Sequence, residues 1–170
     1  MAYIAYPECG KIINTHGCRG GVKIEPWCDS PAVFAALPTV YFKENGELRA
    51  VRVLRSAVLC GRFVSAELEG ITTMEAADLL RGRILYAKRE DLGIPAGVLL
   101  VAELIGLPVF HEADGREIGT LTDVIHPGAT DIYVIKTDRG EAMVPVVKEF
   151  VRSVDIDKGI VISPIEGMLP

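Results

Sequence analysis

Between Glu103 and Val146 the chain is cut into short β-branched runs by turn dipeptides, and no other stretch limits the fold as strongly. The runs Leu107–Phe110, Glu117–Ile125, Asp131–Thr137 and Glu141–Val144 are separated by Asp114-Gly115, Pro127-Gly128 and Asp138-Arg139-Gly140. Glycine supplies the positive φ that tight hairpin turns demand, so this spacing predicts an antiparallel meander. Its third strand does not alternate: Ile132 and Val134 point one way, Tyr133 and Ile135 the other, so both faces should be covered. A small closed or nearly closed barrel meets that requirement.

The first part of the chain reads as a second set of strands. Glu8–Asn14 and Gly21–Trp27 pair around Thr15-His16-Gly17-Cys18-Arg19-Gly20-Gly21. Such a glycine-rich loop is either a turn connector or a surface that lets a ligand's backbone or phosphate come close. Ser30-Pro31 opens a short helix through about Ala36. Val40–Lys43 and Leu48–Leu54 form a hairpin around Asn45-Gly46, followed by a strand at Arg62–Leu68. Thr72 and Glu75 have the spacing of a capping box, starting a helix to Arg81-Gly82 whose packed face is Met74, Ala77 and Leu80. Arg83–Lys88 closes six strands, which suggests a Greek-key barrel.

The expected class is therefore all-β, two small barrels with short helices: residues 1–91, a linker at 92–100 where Gly93, Pro95 and Gly97 break any pattern, and residues 101–170. Val146–Val151 reads as a helical turn, and Val154–Ile156 with Ile160–Ile162 as a last hairpin.

Charge divides at the same place. The chain of 170 residues carries a net charge of −5. Up to Asp91, 12 Lys and Arg face 11 Asp and Glu; from Leu92 onward the figures are 6 and 12. The second part should prefer a basic partner, and the first can still touch phosphate locally. No apolar run approaches the ~18–20 residues that cross a bilayer, and Met1–Cys9 lacks a basic flank and apolar core. A cytoplasmic protein without a membrane partner is expected.

Chemistry is sparsely provided. Cys9, Cys18, Cys28 and Cys60 form no Cys-x-x-Cys pair, so they read as free thiols, with a metal or thiol centre at His16 and Cys18 the weaker alternative. There is no nucleophile elbow, phosphate loop or His-Glu-x-x-His, and His16, His111 and His126 each sit at a turn. No cofactor and no enzymatic activity are expected. Lys11, Arg19 and Lys23 around the glycine loop, and Arg49, Arg52 and Arg55 along one strand, are either phosphate contacts or ordinary solvated residues. Plain alternation puts Arg49 and Arg55 on the face opposite Arg52. Asp131 reads as a turn cap before it reads as a contact, and Leu104 as core shaped by an edge strand around Gly106 and Pro108. Leu99 and Leu100 form the apolar patch left over in the linker.

Leu104-Ile105-Gly106-Leu107-Pro108-Val109, Asp114-Gly115, Ile118-Gly119 and Asp131-Ile132-Tyr133-Val134 resemble the PRC-barrel domain. Gly10-Lys11-Ile12, His16-Gly17-x-Arg19-Gly20 and Val22-Lys23-Ile24 are similar to the opening signature of the ribosome maturation factor RimM family. The likeness continues in order through Leu68-Glu69-Gly70-Ile71, Leu80-Arg81-Gly82, Arg89-Glu90-Asp91-Leu92 and Val144-Pro145. It implies a translation-factor-like barrel followed by a PRC barrel, in a non-enzymatic factor, read here as a monomer. Such a factor binds the immature 30S subunit, contacts ribosomal protein uS19 and the 16S rRNA of the head, and supports rRNA processing. The contact set expected for partner and rRNA, read from the residues themselves, is Lys11, His16, Gly17, Arg19, Gly20, Lys23, Leu99, Leu100, Leu104 and Asp131. Family members usually carry Glu at the position of Gly21 and an aromatic pair near Gly97-Val98-Leu99-Leu100. A PRC-barrel adaptor docking to a membrane-associated complex is the competing expectation.

Overall fold

The computed structural model describes residues 3–170; Met1 and Ala2, the start of the tail inspected for a leader, lie outside the described residues. The described residues divide into two compact units, Ile4–Ala96 and Gly97–Pro170 with Tyr3.

In the first unit, β1 (Glu8–His16), β2 (Gly21–Pro26), β3 (Thr39–Glu44), β4 (Glu47–Leu59), β5 (Phe63–Leu68) and β6 (Ile84–Tyr86) close a barrel in the order β1-β2-β5-β4-β3-β6. The antiparallel run β3-β4-β5 with β2 returning beside β5 is the Greek key that the strand count suggested. Asn45 and Gly46, at φ 52° and 82°, make the β3–β4 hairpin. Ile12, Val22, Ile24, Val40, Val64, Leu68 and Leu85 fill the interior at no more than 1 % exposure, and Phe34 of the helix α1 (Pro31–Ala35) plugs one end.

Three local expectations change. The β4 strand runs on to Leu59, well beyond Leu54. The helix α2 (Met74–Asp78) is capped by Thr73, whose hydroxyl accepts the Ala76 amide at 3.1 Å, so the cap is one residue later than Thr72 and the helix ends before Arg81. That shift turns Met74 outward at 47 % exposure, while Ala77 and Leu80 keep their packing on the barrel. The third change is a register shift between Val53 and Arg55: Val53 pairs with Leu68, but Arg55 pairs with Glu67. The extra residue, Leu54, is 59 % exposed, and it resets the alternation so that Arg52 and Arg55 share the outer face. Arg49 stands opposite Phe42 at the strand's start.

The second unit holds α3 (Val101–Leu104), β7 (Pro108–His111), β8 (Glu117–Ile125), β9 (Ile132–Thr137), β10 (Gly140–Pro145), β11 (Val151–Asp155) and β12 (Gly159–Ile162). Its sheet order is β10-β9-β8-β7-β12-β11. The meander β7 to β10 is antiparallel throughout, whereas β12 joins β7 in parallel, so the last hairpin completes the sheet by a route the turn pattern does not announce. That hairpin begins at Val151, directly after a turn at Val147–Phe150. Tyr133, Val134 and Ile135 are at 5 %, 6 % and 0 %, which fits a strand covered on both faces. Leu104 is core, but it belongs to α3 and not to an edge strand. Leu99 and Leu100 are half-buried, with Leu99 packed on this unit's core; the exposed apolar neighbours are Val98 and Val101.

Candidate functional site

The glycine loop sits over the outer surface of the first barrel. Strands β2, β5 and β4 are neighbours there, with Lys23 beside Ser65 and Ser65 beside Ala57. Because Val64, Ala66 and Leu68 turn inward, Phe63, Ser65 and Glu67 turn out. The loop residues His16, Gly17, Cys18 and Arg19 wall a cleft of about 370 Å³ against Arg55, Ala57, Ser65 and Glu67. Two of its glycines fix this arrangement. Gly20 is at φ 90°, and a Cβ there would lie 2.4 Å from the Ile71 carbonyl oxygen. A Cβ on Gly21 would meet the His16 carbonyl oxygen at 2.3 Å, so a residue with a side chain does not fit this backbone as it stands.

Of the contact set read from the sequence, the structure brings His16, Gly17 and Arg19 to one cleft. Gly20 is buried and acts by letting the loop approach Ile71. Lys11 stands on β1 opposite Glu25, away from the cleft lining. Lys23 places its ammonium 4.3 Å from the centre of the Phe63 ring, and Arg62 lies 5.4 Å from the same ring. Arg55, a possible phosphate contact by its charge, joins the loop in this cleft, and Glu67 is a cleft residue that the sequence reading does not single out. Their link to the loop depends on the bulge at Leu54 and on the β2–β5 pairing, neither of which is visible in local spacing.

Leu104 and Asp131 belong to the second unit. Asp131 Oδ1 and His126 Nδ1 share a hydrogen bond at 2.7 Å across the turn, and the Asp131 carbonyl accepts the Val146 amide. Asp131 thus holds its turn as the sequence suggested. Burial, with the Asp131 charge second, pushes the Tyr133 phenol above its ordinary value.

All four cysteines are free. The Cys9 thiol is buried and pushed far up by desolvation, with Cys28 adding to it, while burial and then Asp29 raise Cys28 to about 11. No group of three or more metal-ligating side chains occurs among the described residues, and no helix among them is long and apolar enough to cross a membrane.

Comparison with known proteins adds the family. The model of the RimM N-terminal domain matches residues 8–92, and that of the RimM PRC barrel domain matches residues 101–168. The ribosome maturation factor RimM of Clostridium botulinum (strain Hall) is 39 % identical over 159 residues, 92 % of this chain and 93 % of its own length. That of Clostridioides difficile (strain 630) is 35 % identical, covering 95 % of each chain. Among solved structures, the 16S ribosomal RNA processing protein RimM from Pseudomonas aeruginosa aligns at a TM-score of 0.48 and 23 % identity, over 94 % of this chain and 98 % of its own. With both domain models matched in order and relatives above 30 % identity along nearly its whole length, the chain belongs to the ribosome maturation factor RimM family.

Proposed function

We propose that this protein assists maturation of the small ribosomal subunit by binding its immature form, acting in the cytoplasm as a monomer and without catalysis. The family membership of both domains carries the reading. The second domain, with twice as many acidic as basic residues, is the arm for a basic ribosomal protein, uS19. Charge complementarity there raises the on-rate and selects against wrong partners. The first domain touches 16S rRNA of the head through the cleft beside the glycine loop, where Arg19 and Arg55 are exposed.

The test is co-sedimentation of the whole chain with immature and mature small subunits, together with a pull-down on purified uS19 at low salt. Retention on immature particles and capture of uS19 are expected. Absence of both overturns the reading, and recovery with lipid vesicles instead would favour an adaptor at a membrane.

A further inference from the structure

Across the first barrel from β5, the strands β3, β6 and β1 lie side by side, and their outer face carries tyrosines. Tyr41 and Tyr86 are register partners on β3 and β6, and both point out because their neighbours Phe42 and Leu85 are buried in the core. Tyr6 joins them from the segment before β1. The Ala87 amide donates to the Pro7 carbonyl and the Arg89 amide to the Ala5 carbonyl, which sets Tyr6 beside Lys88. The Tyr6 ring centre is 5.0 Å from that of Tyr41, edge to face. The barrel interior is filled without these rings, and all three tyrosines are half-buried at its surface.

Lysines border the rings. Lys43 follows Tyr41 on the same face of β3, Lys88 follows Tyr86 on the run beyond β6, and Lys11 of β1 stands opposite Ile84, the outward residue before Tyr86. Alternate residues of a strand are about 7 Å apart on one face, so each cation is within a side chain's reach of a ring. The three lysines are exposed and make no ion pair among the described residues, whereas Arg49 and Arg83 are held by Glu44. Glu8, the register partner of Tyr86, is the carboxylate of these rows and leaves the lysines in excess. Such a face repels a basic protein and suits a polyanion that carries flat, uncharged groups. Unpaired nucleic acid is that polymer, because every base offers a face to an aromatic ring, while the bases of a duplex already stack on one another. We propose that this tyrosine face holds a single-stranded segment of RNA, with bases stacked on Tyr41 and Tyr86 and phosphates on Lys43 and Lys88. The proposal rests on the reading that the first domain meets rRNA and adds to it a second contact surface, away from the cleft.

The experiment measures anisotropy of a labelled oligouridylate, about ten nucleotides long, and of an RNA duplex of similar length on the full-length protein. Tyr41→Leu with Tyr86→Leu should weaken the single strand by at least about tenfold and leave the duplex within about twofold, since each base stacked on an aromatic ring accounts for about fivefold or more. Tyr41→Phe with Tyr86→Phe keeps both rings and should stay within about twofold of the wild type. Lys43→Gln with Lys88→Gln should reduce the slope of log K against log salt by about 1.4 for the single strand. Both lysines are exposed, so this pair tests the face even where the leucine pair fails to fold, which far-UV circular dichroism reports. No binding of the single strand, an affinity indifferent to the leucine pair, a phenylalanine pair that loses as much, an equal loss on the duplex, or an unchanged slope for the lysine pair would each overturn the proposal. Particle co-sedimentation of the wild type run in parallel separates the two levels. Particles bound while the oligonucleotide ignores the tyrosines refute the tyrosine face alone, and particles not bound refute the assembly reading beneath it.

Discussion

The Glu103 carboxylate, in a residue only 4 % exposed, accepts the backbone amide of Leu100 at 2.7 Å. It is the one buried charged residue among those described, and it closes the first turn of α3 from the inside. Leu100 brings no polar side chain to cap that turn, so Glu103 supplies the bond from three residues on. Removing it leaves an amide without its partner and a hole beside Leu104, at about 2 kcal/mol. Glu103→Ala should lower the urea midpoint followed by far-UV circular dichroism, and Glu103→Gln, which keeps an acceptor, should lose less than half as much.

The turn of the last hairpin responds to acid. Asp155 Oδ1 accepts the amides of Asp157 and Lys158 at 2.9 and 3.0 Å, and these bonds hold its carboxyl below the ordinary value of 3.8. A depressed folded value means stabilisation that is fully present above the unfolded value and lost as pH falls through the folded one. The stability gap between the wild type and Asp155→Asn should be largest near neutrality and shrink steadily below pH 3.8, with the Asp157 and Lys158 amides exchanging faster over the same range. A gap that widens in acid would contradict this account of the turn.

Two glycines of one loop should differ sharply. Both Gly17 and Gly20 have positive φ, at 74° and 90°, but Gly17 faces open space while Gly20 faces the Ile71 carbonyl at 2.4 Å from a built Cβ. Gly17→Ala carries only the left-handed backbone cost of about 1–2 kcal/mol. Gly20→Ala adds a backbone clash that no rotamer relieves and should exceed about 3 kcal/mol. The single Trp27, on this barrel, gives the fluorescence signal for chemical denaturation.

Thiol reactivity should split the cysteines evenly. Cys18 and Cys60 are exposed, Cys9 is at 1 % exposure, and Cys28 is half-buried with its thiol raised to about 11, which leaves about 0.1 % thiolate at pH 8. An aromatic disulfide reagent at pH 8 should titrate two thiols quickly and the other two only after denaturation. Cys60→Gly keeps the positive φ of 51° acceptable and should remove one fast thiol without loss of stability.

What the sequence made legible follows from how local each determinant is. Asn45-Gly46, Asp114-Gly115 and Ser30-Pro31 act within a few residues, and the turns and helix they imply are present. The apolar run of Ile132–Ile135 identified a doubly covered strand for the same reason. Adjacent Thr72 and Thr73 offer chemically equal caps, and only the packing of Ala77 selects the second. The parallel β7–β12 pair and the β2–β5 pair join segments tens of residues apart, which spacing does not encode. The cleft inherits that difficulty: its loop wall was readable, but its sheet wall required the bulge at Leu54 that turns Arg55 outward.

That bulge gives the salt dependence of binding a residue-level test. Each phosphate neutralised on single-stranded RNA contributes about 0.7 to the slope of log K against log salt. If Arg19 and Arg55 each meet a phosphate, the double substitution to Gln should reduce the slope for immature small-subunit particles by about 1.4. Arg49→Gln is the internal control, because that guanidinium is 3.5 Å from Glu44 on the same hairpin and lies outside the cleft lining. It should leave the slope unchanged. Deleting Leu54 should remove the bulge while leaving Arg55 directly after the inward Val53, still opposite Glu67 on the outer face, so the slope should be kept. Equal slopes for the wild type and the Arg19, Arg55 double variant would mean that the phosphate contacts lie elsewhere on the barrel.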